Sequence, residues 1–324
     1  MNAPVRPRIV FVFSGQGAQY YQMGRDLYEA HPVFRRVFDE AETVVQEAAG
    51  FSLLGRVFGA PASQPMDDLA TTHPALVAVG LALYETLRSE GVTPDLLLGS
   101  SLGELVAATA AGCCTPATAL RFAVAHARCV VEHSAGDGGM LAVLGPLTTL
   151  QRLGDGGREA YLVGENFPGH FTISGSNAVL ARIEAELAAL GVTFVRLPVR
   201  TAFHSPLVQA STAPFLAACK QFEFAWTPRI PLVSTLTTGR VGRFTPEHFA
   251  AVVAGPLRFR DTLLALEREG PAYYVDCGPA GTMATFVKHN PEASARSLPF
   301  PILTPFRNGR RNLDKLIDQL RAQT

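Results

Sequence analysis

Asp95-Leu96-Leu97-Leu98-Gly99-Ser100-Ser101-Leu102-Gly103-Glu104-Leu105-Val106 is the stretch on which the fold turns. Asp95–Leu98 reads as a short buried strand, and Ser101–Ala111 is helical in pattern. Between them lies G-x-S-x-G, whose glycines permit a tight strand-to-helix turn. Such a turn lifts the central Ser101 oxygen above the sheet edge, at the N-terminus of the next helix. The following N–H, on Leu102, is unpaired because helix starts leave donors without partners. With the helix dipole behind it, that N–H can help to bind an oxyanion. The alternative is an ordinary strand–helix turn capped by serines.

Working outward, Arg8–Phe13 (RIVFVF) is a β-branched and aromatic run that ends in Ser14-Gly15-Gln16-Gly17. Helical patterns follow over Gly24–Ala48 and Pro74–Ser89. Strand, glycine turn and helix alternate, the signature of a parallel α/β sheet. The middle differs. Strands at Gly139–Leu144, Ala160–Glu165, His170–Gly175 and Val192–Val199 enclose helices at Leu147–Leu153 and Asn177–Leu190. This β-α-β-β-α-β order is the ferredoxin-like plan. The α/β pattern then resumes, with strands near Ile230–Ser234 and Tyr273–Asp276 and helices at Pro246–Val253, Phe259–Arg268 and Leu313–Ala322. The expected fold is α/β: a parallel-sheet, α/β-hydrolase-like large domain (1–135 and 200–324) with an inserted ferredoxin-like small subdomain (136–199).

The composition bounds the function. The 324 residues carry 28 basic and 28 acidic side chains, so the net charge is zero. Charged residues are 17% of the chain and hydrophobic ones 48%. A chain this apolar can bury a large core, and its charge balance argues against a nucleic-acid partner. No apolar run is long enough for a transmembrane helix, and the N-terminus lacks the pattern of a secretion signal. The five cysteines are an odd number without metal-ligand spacing, so neither a metal site nor a disulfide framework is expected, and a cytoplasmic location is. Cys277, beside Gly278-Pro279, is the one cysteine in a loop-like context.

A serine nucleophile needs a base. Of the eight histidines, His31, His133 and His248 lie beside charged or turn residues and read as surface groups. His126 sits on a helix face. His204, in Thr201-Ala202-Phe203-His204-Ser205-Pro206, lies where the chain returns from the small subdomain to the large one. It is the leading candidate for the base, ahead of His73.

These segments together resemble the acyltransferase family of fatty-acid and polyketide synthesis, the malonyl-CoA:acyl carrier protein transacylases. Phe13–Gln19 is similar to the family's N-terminal GQG-Q loop, and Gly99–Glu104 to its G-H-S-x-G-E elbow. Ala202–Ser205 is similar to its histidine segment, and Cys277-Gly278-Pro279 to its late G-P motif. The resemblance implies a ping-pong reaction. Ser101 attacks a thioester with His204 as base, and the N–H groups of Gln16 and Leu102 hold the oxyanion. A main-chain carbonyl, assigned by resemblance to Gly255 in Ala254–Phe259, orients the histidine. No cofactor is implied beyond the substrate's own phosphopantetheine arm.

Three departures bear on the acyl group. The arginine that pairs with a malonyl carboxylate in the family matches Ala127, with Arg128 about 100° around the helix. Burying that carboxylate unpaired costs on the order of several kcal/mol. Ser100 replaces the family's histidine before the nucleophile, and His73 replaces its glutamine. Ser100, Ala127, His73 and Phe203 are therefore the expected substrate-binding positions, in a site suited to a non-malonyl acyl group. These features are similar to the discrete acyl hydrolases of trans-acyltransferase polyketide pathways. The leading expectation is an acyl-acyl carrier protein hydrolase. The alternative is a transferase moving an unusual acyl group between carriers. A carrier-binding subunit without activity conflicts with the intact Ser101 and His204. A stand-alone esterase needs a triad acid, for which Asp276 is the candidate. A monomer is expected. An acidic acyl carrier protein would meet a local basic face, and Phe306-Arg307-Asn308-Gly309-Arg310-Arg311, with Lys315 and Arg321, is the densest basic stretch.

Overall fold

The computed structural model describes residues 6–134 and 137–322. Ten strands are described: β1 (Arg8–Phe13), β2 (Leu96–Gly99), β3 (Gly138–Leu144), β4 (Tyr161–Phe167), β5 (His170–Ser176), β6 (Thr193–Arg196), β7 (Leu232–Ser234), β8 (Gly239–Arg240), β9 (Ala272–Asp276) and β10 (Leu298–Pro301). They form two sheets. The larger has the order β10-β9-β1-β2-β7-β8. Its first five strands are parallel and β8 is antiparallel. β1 and β2 lie at its centre and are almost wholly buried, which is why their sequences are continuous apolar runs rather than alternations.

The smaller sheet has the order β4-β5-β3-β6 and is antiparallel throughout. With the helix Asn177–Ala189 and the short turns over Leu147–Arg152 and Asp155–Glu159, it makes the ferredoxin-like unit. Leu141, Val143, Phe171, Ile173, Leu180 and Ile183 form its own apolar core.

Two helices depart from the sequence expectation. The run expected as one helix over Gly24–Ala48 divides into Arg25–Ala30 and Pro32–Ala49, because His31 before Pro32 is extended (φ −120°, ψ 116°). The helix expected to open at Pro74 begins at Leu69 and carries Pro74 inside. Its first turn is fixed by Asp68, whose carbonyl accepts from Thr71 and Thr72 N–H and whose carboxylate accepts from Ala70 N–H. β10 went unread because it contains Pro299 and Pro301. Prolines suit it because it is an edge strand, where a missing N–H costs no ladder bond on the open side.

Candidate active site

β2 ends at Gly99, and the helix Gly103–Ala110 begins four residues later. Between them, Ser100 N–H bonds the Phe13 carbonyl at the end of β1, and Glu104 N–H bonds the Ser101 carbonyl. Ser101 has φ +56°, a left-handed conformation that costs a non-glycine residue strain. Gly103 is held to glycine by close approach, since a Cβ there would lie 2.1 Å from the Phe13 carbonyl oxygen. Gly15 is held in the same way. Its Cβ would stand 2.6 Å from Ser101 Cβ and 3.0 Å from Leu102 N. The loop after β1 is thus pressed against the elbow. Among the described residues, neither Leu102 N–H nor Gln16 N–H has an acceptor.

His204 comes to Ser101 from 103 residues away, with Nε2 2.9 Å from Ser101 Oγ. Its Nδ1 lies 2.9 Å from the Gly255 carbonyl oxygen. A carbonyl only accepts, so Nδ1 carries the proton and Nε2 is free to accept from the serine hydroxyl. Burial pushes His204 down to about 4, against the opposing pull of the Gly255 and Val252 carbonyls. The ring is therefore neutral at neutral pH. His204 also has a positive φ, +60°.

The pair opens on a cavity of about 250 Å³. From the large domain come the Gly15–Ala18 loop, Ser100, Ser101 and His204. From the small sheet come Met140, Ala142, Val163, Asn166, His170 and Thr172. Among the described residues, no arginine, lysine, aspartate or glutamate lines it.

The expected substrate-binding residues divide. Ser100 lines the cavity, whereas Ala127, His73 and Phe203 do not. Ala127 is 1% exposed and belongs to the main apolar core, while Arg128 is exposed. His73 acts one layer back. Its Nδ1 accepts from the side-chain amide of Gln16, which also donates to Thr72 Oγ1. Its Nε2 is 2.9 Å from His126 Nδ1, and its ring stacks on Phe203. Both imidazoles are buried, and burial lowers both, His126 to about 3. A chain of neutral rings therefore backs the loop that carries Gln16.

Other expectations need correction. His31 and His248 are not surface groups. His31 is buried against Glu90, and His248 Nε2 lies 2.8 Å from Glu104 Oε2. Asp276 is not placed as a triad acid. It is buried and accepts from the N–H groups of Gly278 and Ala284, tying β9 to the helix Thr282–Lys288. Burial raises it to about 6. Cys277 is likewise buried, and its thiol is raised. The basic stretch near 306–315 shares its groove with Asp26, Glu29, Asp314 and Asp318, and Arg310 pairs with Asp314. That surface is electrically mixed rather than basic. No described helix is long and apolar enough to cross a membrane.

Most of the cavity wall is not legible in the sequence, including the polar residues Asn166 and His170. Their only local signal was a strand pair around Pro168-Gly169, which says nothing of what the strands face.

A parallel α/β sheet, a ferredoxin-like companion and a serine elbow facing a histidine at their junction define the acyltransferase architecture. The chain belongs to that family: residues 10–308 match the acyl transferase domain. The polyketide biosynthesis protein ThaF of Burkholderia thailandensis is 42% identical over 283 residues, covering 86% of this chain and 24% of ThaF. The chain thus spans about a quarter of that relative. It spans nearly all of the polyketide biosynthesis acyltransferase homolog PksD of Bacillus subtilis, at 32% identity over 97% of this chain and 96% of PksD. A loading acyltransferase from the avermectin modular polyketide synthase superposes with a TM-score of 0.87, at 26% identity over 97% of this chain and 99% of that one.

Proposed function

We propose that the protein hydrolyses acyl groups, other than malonyl, from acyl carrier protein in polyketide biosynthesis. The observation that carries this reading is the Ser101–His204–Gly255 hydrogen-bond chain opening on a cavity that, among the described residues, no arginine or lysine lines. Ser101 Oγ attacks the thioester carbonyl while His204 Nε2 takes its proton. The N–H groups of Leu102 and Gln16 receive the negative charge that develops on the carbonyl oxygen. The intermediate collapses, the carbon–sulfur bond breaks, and the imidazolium returns its proton to the departing pantetheine thiolate. A water then attacks the Ser101 ester with His204 again as base, releasing the acid and the serine. In this reading residues 1–135 and 200–324 supply the catalytic groups, and 136–199 supply the wall that faces the acyl chain. Having no charged lining, the cavity would leave a malonyl carboxylate unpaired, at a cost of several kcal/mol.

The test is intact-mass spectrometry of the protein with acetyl- or butyryl-carrier protein, with and without a second, unloaded carrier. We expect a Ser101 acyl adduct, free acid in both mixtures, no adduct from malonyl-CoA, and no adduct or turnover in Ser101→Ala. Quantitative passage to the second carrier without free acid would establish the transferase instead.

A further inference from the structure

The cavity contains a second imidazole that the proposed reaction does not use. His170 opens β5 and lines the cavity from the small sheet. Its ring stacks on Phe167 at 4.9 Å and lies 5.3 Å from the ring of Phe286. Asn166 Nδ2 donates to His170 Nδ1 at 3.0 Å, and also reaches Thr172 Oγ1 at 3.3 Å. Asn290 holds Asn166 in turn, donating from Nδ2 to its main-chain carbonyl at 2.8 Å. The ring is thus fixed on its faces and at one nitrogen.

In the tautomer in which Nδ1 accepts from Asn166 Nδ2, the neutral ring bears its proton on Nε2. Burial lowers the pKa of His170, against the opposing pull of its own main-chain carbonyl. Among the described residues Nε2 has no acceptor. In that tautomer it is an uncharged donor at the wall of a mainly apolar cavity, without a partner among the described residues.

Resting on the thioester reading above, we infer that His170 recognises an oxygen on the acyl chain, and that the favoured substrates are short 3-oxoacyl or 3-hydroxyacyl thioesters. The cavity, about 250 Å³, is smaller than the several hundred Å³ that drug-sized ligands occupy, so the chain is short and the oxygen lies near the thioester. A site built to bond an oxygen discriminates against the analogue that lacks one, because its donor is then left unpaired. The same donor does not admit malonyl. Acetoacetyl and malonyl differ by a methyl group against a charged oxygen, and a neutral imidazole supplies no counter-charge.

The experiment follows acylation of Ser101 under single-turnover conditions, with pantetheine thioesters of acetoacetate, 3-hydroxybutyrate, butyrate and malonate. In the unaltered protein we expect the two oxygenated acyl groups to react roughly 3- to 10-fold faster than butyryl, and malonyl not to react. In His170→Phe the ratio of acetoacetyl to butyryl should fall to about one, whereas His170→Gln, which keeps a donor, should retain most of it. Butyryl reacting as fast as acetoacetyl in the unaltered protein, or an unchanged ratio in His170→Phe, overturns the inference while leaving the thioester reading intact. If no thioester labels Ser101, both fall together. Should His170→Phe not fold, the substrate order of the unaltered protein decides alone.

Discussion

Ser101 and His204 meet with both backbones in the left-handed region. Each such residue costs on the order of 1–3 kcal/mol, which the surrounding structure must over-determine. It does so through Phe13 and Gly15 at the serine. At the histidine it does so through Val253, whose carbonyl accepts from His204 N–H, and through Gly255. The G-x-S-x-G spacing revealed the serine, but nothing in the local sequence announces the strain at His204. The pH dependence belongs to this scale. His204 is a base only when neutral, and burial takes it from the ordinary 6.5 down to about 4. The acid limb of kcat/KM should therefore lie below pH 5 rather than near 6.5, with a plateau from pH 6 to 8, measured as thioester cleavage across buffers of constant ionic strength. A limb at pH 6.5 would mean that His204 is more hydrated than its burial indicates.

At the scale of elements, the helix behind Ser101 depends on Glu104, which is fully buried. Its carboxylate accepts from Ser234 Oγ, Thr235 N–H and His248 Nε2, so one side chain ties the elbow helix to β7 and to the helix Pro246–Ala254. The last helix ends beside Gly255, so the same tie helps to locate the acceptor for His204. Removing a donor from a buried carboxylate is costly. His248→Ala should lose about 1–3 kcal/mol by the midpoint of urea unfolding, and His248→Gln should lose less because it keeps a donor. An unchanged midpoint in His248→Ala would show that water replaces the imidazole at no cost. From sequence, His248 reads as a surface residue because charged and turn residues lie beside it. What turns it inward is its hydrogen bond to Glu104, on a helix more than a hundred residues earlier.

At the scale of the molecule, the lining of the cavity is set by which residues reach the junction of the two sheets. Ala127, expected by resemblance at the family's arginine position, has its side chain packed in the main core and does not line the cavity. An arginine placed there should therefore not confer malonyl use. Ala127→Arg should leave malonyl-CoA unable to label Ser101 and should lower stability by several kcal/mol, since it buries an unpaired charge. Labelling of a stably folded Ala127→Arg by malonyl-CoA would overturn this. The zero net charge of the chain is matched locally at the expected docking stretch, where acidic residues alternate with the arginines. Recognition of an acidic carrier cannot rest on that groove as a simple basic patch.

The sequence alone determined the parallel strands, the serine elbow and the ferredoxin-like order, and made His204 the leading candidate, ahead of His73, to face the serine. Each of these is written in a contiguous run, whether as apolar periodicity, a glycine pair or a motif. The tertiary structure decided what the cavity can hold. It set Ala127 and His73 back from the cavity, gave His73 to Gln16 and His126, and brought Asn290 to hold Asn166 and Asn166 to hold His170. Those choices depend on hydrogen bonds and packing between segments far apart in the chain, and a local pattern carries no record of which distant group will complete it.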